Sequence, residues 1–134
     1  MPSFAERTVC AAPPADVWRL VHDPERLPEW LVDTERVEGG GDGTVTRYLH
    51  GWPDLPMPTR VTSRAEGPRV VISCLVSDID IQVSLAPHPA GCAVEMAVRL
   101  PEAESARLPA VRRLAVDSLA RLSRITSAGA PALG

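Results

Sequence analysis

The sequence APPADVWRLVHDPERLPEW, residues 12–30, decides the fold of this chain. Pro14 suits the first position of a helix, where its missing N–H costs no hydrogen bond and its fixed φ is already helical. The apolar residues that follow it at helical spacing are Val17, Leu20 and Val21. This spacing predicts a short amphipathic helix with one face turned toward a core.

A second helix start lies at Asp23-Pro24 in the same stretch. Aspartate is a strong N-cap residue, and proline is favoured at the position after the cap. Pro28 limits this helix to one or two turns, because proline breaks a helix interior. Residues 4–10 are a strand candidate that precedes both helices. The sequence therefore predicts one strand, then two short helices, then the rest of a sheet.

Alternating apolar and polar residues predict antiparallel strands over much of the chain that follows. The glycine-rich segment 39–43 predicts a turn between two of them. The proline-rich segment 53–58 predicts a connection outside the ladder, because proline donates no backbone hydrogen bond. The predicted strands cover residues 34–38, 44–52, 59–65, 69–77, 79–85 and 92–100.

The hydrophobic period changes to that of a helix from residue 102 to about residue 126. The apolar positions are Leu108, Val111, Ala115, Leu119 and Leu122, with Arg113, Arg121 and Arg124 on the opposite side. This pattern predicts one long amphipathic helix, with a bend near Pro109. We expect residues 1–127 to form one α+β domain, in which the helix covers a face of an antiparallel sheet, and residues 128–134 to form a flexible tail.

Length and composition limit the possible function classes. The chain has 134 residues, enough for one domain with a sizeable core, and a formal net charge of -3. This charge gives no basic footprint for nucleic acid, and no apolar run approaches the ~18 residues of a membrane-spanning helix. The N-terminus has no signal-peptide pattern, so we expect a cytoplasmic protein.

The three cysteines are Cys10, Cys74 and Cys92, which are odd in number and widely spaced. They form no CxxC motif and do not group with the histidines, so we expect neither a metal site nor a disulfide framework. Buried, reduced cysteines that act as small apolar residues are the simpler interpretation.

One face of the predicted strand 44–52 carries the best candidates for chemistry, Tyr48, His50 and Trp52. If that face lines a cavity, His50 is a candidate general acid or base, because imidazole titrates near neutrality. Tyr48 is then a candidate donor to a carbonyl or enolate oxygen, and Arg64 would stabilise developing negative charge. A solvent-exposed place at the strand end fits His50 equally well. The opposite face carries Val45, Arg47 and Leu49.

The element order and residues 12–18, 23–30 and 62–64 resemble the START/Bet v 1-like (SRPBCC) superfamily, and within it the polyketide cyclase/dehydrase and lipid-transport group. The resemblance covers nearly the whole chain. It implies a helix-grip fold, a curved seven-stranded antiparallel sheet wrapped on a long C-terminal helix around a ligand cavity. Members of the group bind hydrophobic small molecules, and some catalyse cyclisation or dehydration.

The resemblance also implies site residues. Aromatase/cyclase members carry a pocket arginine on the fourth strand in a Ser-x-Arg-like pattern, and Arg64 matches that position. At two positions where those members carry aromatic residues, this chain has Thr34 and Arg60. Arg60 also fits a rim or surface place, and Trp30 also fits the core. The expected ligand-binding residues are Trp30, Trp52, Arg60, Thr62, Cys74, Val94, Met96, Val98 and Leu119.

We therefore expect the chain to bind a hydrophobic small molecule in an internal cavity, as a polyketide cyclase/dehydrase-like enzyme of secondary metabolism that needs no cofactor. The alternative is non-catalytic binding, transport or sequestration of a hydrophobic metabolite, as in self-resistance. The expected partners are this ligand and an acyl carrier protein, with no nucleic acid and no membrane insertion. Both a monomer and a homodimer fit the sequence.

Overall fold

A computed structural model describes residues 2–39 and 43–129 of the chain. These residues form seven strands and a few helices, which follow one another along the chain with short connections. The elements are β1 (Ser3–Cys10), α1 (Pro14–Val21), a 3-10 helix (Pro24–Arg26), α2 (Leu27–Trp30), β2 (Thr34–Gly39), β3 (Thr44–Leu49), β4 (Trp52–Arg64), β5 (Arg69–Cys74), β6 (Asp80–His88), β7 (Gly91–Arg99), a second 3-10 helix (Glu102–Arg107) and α3 (Leu108–Gly129).

The seven strands form one antiparallel sheet in the order β1-β7-β6-β5-β4-β3-β2. β1 pairs with β7 along its whole length, from Ser3 opposite Arg99 to Cys10 opposite Cys92. The segment that holds α1 and α2 therefore carries the chain from one edge of the sheet to the other. This architecture confirms the α+β helix-grip fold with seven strands and a long C-terminal helix.

The two short helices predicted from residues 12–30 are present. α1 starts with Pro14, and the Asp23 side chain caps the following turn by accepting a 3.0 Å hydrogen bond from the Glu25 N–H. α1 and α2 bury their apolar faces in the core, through Val17, Leu20, Val21, Leu27 and Trp30. The caps fix where each helix begins, and burial of these side chains supplies most of their stability.

α3 covers the concave face of the sheet. Its buried stripe is Val111, Ala115, Leu119 and Leu122, which joins a single core with the inward side chains of the strands. The predicted start at residue 102 is a 3-10 helix, and Pro109 is the second residue of α3, where a missing N–H costs no hydrogen bond. Within residues 2–39 and 43–129, no helix is both long and apolar enough to cross a membrane.

Two predicted segments are only partly covered. Of the glycine-rich turn 39–43, residues 40–42 lie outside the described residues. Of the predicted tail 128–134, α3 continues to Gly129, and residues 130–134 lie outside the described residues.

The connection predicted at 53–58 was wrong, because these residues belong to β4. The turn between β3 and β4 is residues 50–51, and Gly51 adopts a φ of 87°, a left-handed conformation that favours glycine. Prolines are tolerated beyond the turn because this part of β4 extends past β5. Among the described residues, β5 pairs with β4 only from Thr59 to Arg64, so a proline nitrogen on that side interrupts no ladder.

Candidate ligand-binding site

Arg47 is a buried cation on the concave face of the sheet. It lies on β3 between Val45 and Leu49, and only 5% of its side chain is exposed. Strand alternation turns these three side chains toward the interior. A buried guanidinium is tolerated only when its charge is compensated and its N–H groups are hydrogen-bonded.

Three polar side chains hold Arg47 in place. Its Nε donates to Thr59 Oγ1 at 3.0 Å, and its Nη1 donates to Thr34 Oγ1 at 3.1 Å. Nη1 also donates to Asp33 Oδ1 at 3.3 Å, and the same carboxylate oxygen accepts from the Thr34 hydroxyl at 3.0 Å. The Thr59 hydroxyl in turn donates to the Met57 carbonyl at 3.0 Å. The cluster compensates the charge and fixes the plane of the guanidinium.

The second terminal nitrogen of this side chain, Arg47 Nη2, makes no hydrogen bond to any residue that the structure describes. A guanidinium presents its donors as a rigid planar fork, which suits the oxygens of carboxylates and related groups. The held side chain therefore has one donor nitrogen for which none of the described residues supplies an acceptor oxygen.

A cavity of about 40 Å³ lies beside Arg47. At roughly 10–15 Å³ for each water centre, it has room for a few water-sized molecules. Its apolar walls come from β3, β4, β5, β6 and α3. Its polar walls are Asp33, Arg47, Cys74, Ser77 and Arg107. An apolar space with a few convergent polar groups is the usual form of a small-molecule site.

Cys74 gives this cavity a thiol that ionises readily. Burial raises the pKa of the Cys74 thiol, but the Ser77 hydroxyl, the backbone N–H groups of Ser77 and Val76, and the charge of Arg47 all favour the thiolate. Together these groups lower its pKa below the ordinary value. Burial raises the pKa of the other two thiols, Cys10 and Cys92. Only Cys74 therefore combines a place in the cavity wall with a favoured thiolate.

We expect iodoacetamide to alkylate Cys74 faster than Cys10 or Cys92 in the folded protein at neutral pH, since the thiolate is the reacting form and only the pKa of Cys74 is lowered. Mass spectrometry of peptides over a time course measures the three rates. Arg47→Met removes a neighbouring cation, raises the pKa of Cys74 and should slow its alkylation. Equal rates for the three thiols would contradict the expectation.

Tyr48 and His50 do not lie in this cavity. Tyr48 is on the outer face, where the Arg36 guanidinium lies 3.7 Å from its ring centre and its hydroxyl donates to Glu38 at 3.1 Å. His50 is exposed in the turn after β3, with its Nδ1 3.4 Å from a Glu35 carboxylate oxygen. The cavity-facing alternative does not hold for Tyr48, because the inward positions of β3 are those of Val45 and Arg47. His50 takes the solvent-exposed place at the strand end that fitted the sequence equally well.

Arg60, Thr62 and Arg64 likewise lie on the outer face and are exposed. Their orientation follows from β4 itself, where Thr59 and Val61 are buried and the alternate residues must point outward. The inward orientation expected for Thr62 and Arg64 was therefore wrong, whereas Arg60 takes the surface place that also fitted the sequence. As predicted, the three side chains share one face of β4, but it is the outer face and not the face toward the core.

The remaining expected residues divide into three groups. Cys74 lines the cavity. Trp52 is 63% exposed near its mouth, opposite Leu49 in the register. The others are buried in the core and do not line the cavity: Trp30, Val94, Met96, Val98 and Leu119. The indole N–H of Trp30 has no hydrogen-bond partner among the described residues.

Arg47 is a candidate site residue that was not among those expected from the sequence. The signal was present, because a charged residue stands between Val45 and Leu49 on an otherwise apolar strand face. An inward charge on such a face needs a compensating partner or a ligand. The expected site residues were instead Tyr48, His50 and Trp52, which alternate with Arg47 along the sequence.

The chain is similar to known proteins over nearly its full length. Residues 1–125 match the family described as "Polyketide cyclase / dehydrase and lipid transport". No curated protein matches the chain. Three solved structures, at 14% to 18% sequence identity, share its fold.

One of these structures is the protein XoxI from Bacillus cereus, with 14% identity and a TM-score of 0.78 over 94% of this chain and 96% of that one. The KanY protein, solved in solution by NMR, has 18% identity and a TM-score of 0.74 over 93% and 97% of the two chains. The di-domain ARO/CYC protein BexL, from a biosynthetic pathway, has 16% identity and a TM-score of 0.81 over all of this chain and 48% of its own. At these identities the structures show a shared fold.

Proposed function

Because the chain belongs to the polyketide cyclase/dehydrase and lipid transport family of START/Bet v 1-like (SRPBCC) proteins, we propose that it binds a hydrophobic small molecule that carries a carbonyl or carboxylate group. The observation that supports this proposal is the buried Arg47, held by three side chains and left with a free donor nitrogen beside a cavity. The oxygen of the ligand would accept from Arg47 Nη2.

The chemistry of the cavity favours binding without conversion as the main role. Within the described residues, no histidine or tyrosine lines the cavity. Of the residues expected to take part in catalysis, Tyr48 and Arg64 lie on the outer face and His50 lies in the exposed turn after β3. The cluster around Arg47 is already hydrogen-bonded in a fixed geometry, which suits recognition of one oxygen group. The protein would thus carry or sequester its ligand.

A cyclase/dehydrase-like activity is the second candidate, because Asp33 and Cys74 share the cavity with Arg47. A carboxylate and a thiolate are both able to accept a proton, and the lowered pKa of Cys74 favours its thiolate form. The two candidates differ in the fate of the ligand. Small molecules that remain bound through purification, identified by mass spectrometry and then incubated with fresh protein, should be recovered intact if the role is binding. A new product that depends on Asp33 or Cys74 would support the enzyme.

Binding of octanoate tests the role of Arg47. Arg47→Met keeps an unbranched apolar stem and removes the charge and the donors of the side chain. We expect octanoate affinity to fall about tenfold or more, since a hydrogen bond to a charged group contributes about 1.5–3 kcal/mol. Isothermal titration calorimetry measures the affinities. The exposed Arg60→Met is the matched control and should bind like the unchanged protein.

A comparison of ligands keeps this test independent of any variant. The unchanged protein should bind octanoate at least about tenfold more tightly than octylammonium, because Arg47 attracts the carboxylate and repels the ammonium group. Equal affinities for the two amphiphiles, or full octanoate affinity in a folded Arg47→Met protein, would contradict the proposal.

A further inference from the structure

The cavity beside Arg47 is far smaller than a hydrophobic ligand. Its volume is about 40 Å³, whereas pockets that enclose a drug-sized molecule measure roughly 300–1,000 Å³. The core around it is close-packed, with Val83 and Met96 completely buried. Opening such a core forfeits packing contacts on every side. The apolar body of a ligand bound at Arg47 therefore needs a surface outside the core.

An apolar surface of this kind lies on two neighbouring segments of the chain. The four residues Trp52, Leu55, Leu75 and Val76, which we call the apolar rim, are each 42% to 63% exposed. Among the described residues, the other large hydrophobic side chains that are exposed are Val9 on β1 and Val116 on α3. Clustered exposed apolar residues in a monomer usually mark a binding surface, whereas isolated ones need no explanation.

The apolar rim borders the cavity on both sides. Trp52 is the register partner of Leu49, and directly opposed residues share a face, so Trp52 extends the cavity wall formed by Leu49. Leu75 and Val76 stand between the lining residues Cys74 and Ser77.

A backbone contact joins the two segments of the rim. The Leu75 N–H donates to the Pro58 carbonyl at 2.9 Å. This bond places Leu75 beside the strand segment that carries Trp52 and Leu55, next to the lining residue Met57.

The backbone of this region disfavours an added strand as the occupant. The Pro58 carbonyl points toward the β5 side, and the amide position of the same residue points the same way, where proline has no hydrogen to donate. Pro56 lies two residues earlier on the same strand, in the part of β4 that has no β5 partner among the described residues. The region therefore favours contact through its side chains over backbone pairing, as binding of a small molecule requires.

We infer that the apolar rim is the outer half of the binding site, and that the ligand is an amphiphile whose carbonyl or carboxylate end reaches Arg47 while its apolar body lies against Trp52, Leu55, Leu75 and Val76. Leu49 is two residues from Arg47, or about 7 Å along the strand, so the body must exceed that length to reach Trp52. This inference rests on the proposed binding at Arg47.

A series of alkanoates, butyrate, octanoate and dodecanoate, tests the inference below the concentrations at which they form micelles. Affinity should rise with chain length in the unchanged protein, by up to about fourfold per methylene that is fully buried. In the double variant Leu55→Ser/Val76→Ser, dodecanoate affinity should fall at least about tenfold, while butyrate affinity stays the same. The double variant Val9→Ser/Val116→Ser removes exposed apolar residues outside the rim and should behave like the unchanged protein.

Fluorescence gives a second measurement. Dodecanoate should shift the emission of the unchanged protein to shorter wavelength, and the shift should vanish in Trp52→Phe, because Trp52 is the tryptophan that the chain would cover. Full dodecanoate affinity in the rim double variant would overturn the inference and leave the proposed function intact, since the chain must then enter the core. Failure of every alkanoate to bind the unchanged protein would overturn both.

Discussion

Gly91→Ala is expected to prevent folding or to lower the free energy of unfolding by about 3–5 kcal/mol. Gly91 begins β7 with a φ of 142°, a conformation that side-chain-bearing residues rarely adopt. A Cβ there would collide with the Cys10 carbonyl oxygen and lie 2.7 Å from the Ala12 nitrogen and 2.9 Å from the Ala12 oxygen. All three atoms are backbone, so no side chain can move aside, and the end of β1 would have to shift away from β7.

Gly67→Ala is the matched control, and urea unfolding measures both variants. Gly67 also has a left-handed backbone, with a φ of 56°, but a Cβ there would meet nothing within 4 Å. Gly67→Ala should lower the free energy of unfolding by about 1–2 kcal/mol, the cost of a left-handed backbone for a residue with a Cβ. The difference between the two variants isolates the close approach of β7 to the β1–α1 connection. Equal losses would show that backbone conformation alone governs both sites.

The fold was predictable because its signals are local. The caps and spacing of residues 12–30 define two short helices without reference to the rest of the chain, and the period of residues 108–122 defines α3 in the same way. The alternation of apolar and polar residues predicted the positions of most strands, since each strand has one buried face. These local preferences all agree with the antiparallel sheet, so nothing distant had to override them.

The hairpin of β3 and β4 was not predictable in this way. The three prolines within residues 53–58 predict an interruption of the strand when the sequence is considered alone. Among the described residues, the strand pairing shows that this part of β4 pairs with β3 on one side and not with β5 on the other. Whether a proline interrupts a ladder depends on which strand lies beside it, and a single sequence does not state its neighbours. The tight turn at 50–51 was therefore placed several residues too late.

The site assignment was wrong for a related reason. Alternation shows which residues share a face but not which face is inward, and Tyr48, His50 and Arg64 carry attractive chemistry. The apolar neighbours of Arg47 were the better guide, because Val45 and Leu49 favour the inward face for the alternate set of residues that includes Arg47. The Tyr48 ring contacts the Arg36 guanidinium, which also donates to the Pro53 carbonyl at 3.3 Å. Tyr48 therefore contacts the neighbouring strand on the outer face of the sheet.

Asp33→Ala should lower the free energy of unfolding by about 2–3 kcal/mol. The change removes the carboxylate partner of Arg47 and leaves a guanidinium that is 5% exposed with only neutral hydroxyl partners. Loss of one member of a fully buried pair costs about 3–5 kcal/mol, and the value here is lower because the Asp33 side chain is 30% exposed. Chemical unfolding in urea, with and without 1 M NaCl, measures the loss and its dependence on salt.

The ion pair of Asp80 and Arg99 provides the control, since its 3.2 Å contact is shorter but both side chains are more exposed. Asp80→Ala should cost no more than about 1 kcal/mol, and high salt should reduce that cost further, whereas salt should hardly change the loss at Asp33. The double variant Asp33→Ala/Arg47→Met should recover much of the stability, because it removes the uncompensated charge together with its partner. A double variant whose loss equals the sum of the two single losses would show that the pair is not coupled, and that Arg47 is stabilised by Thr34 and Thr59 alone.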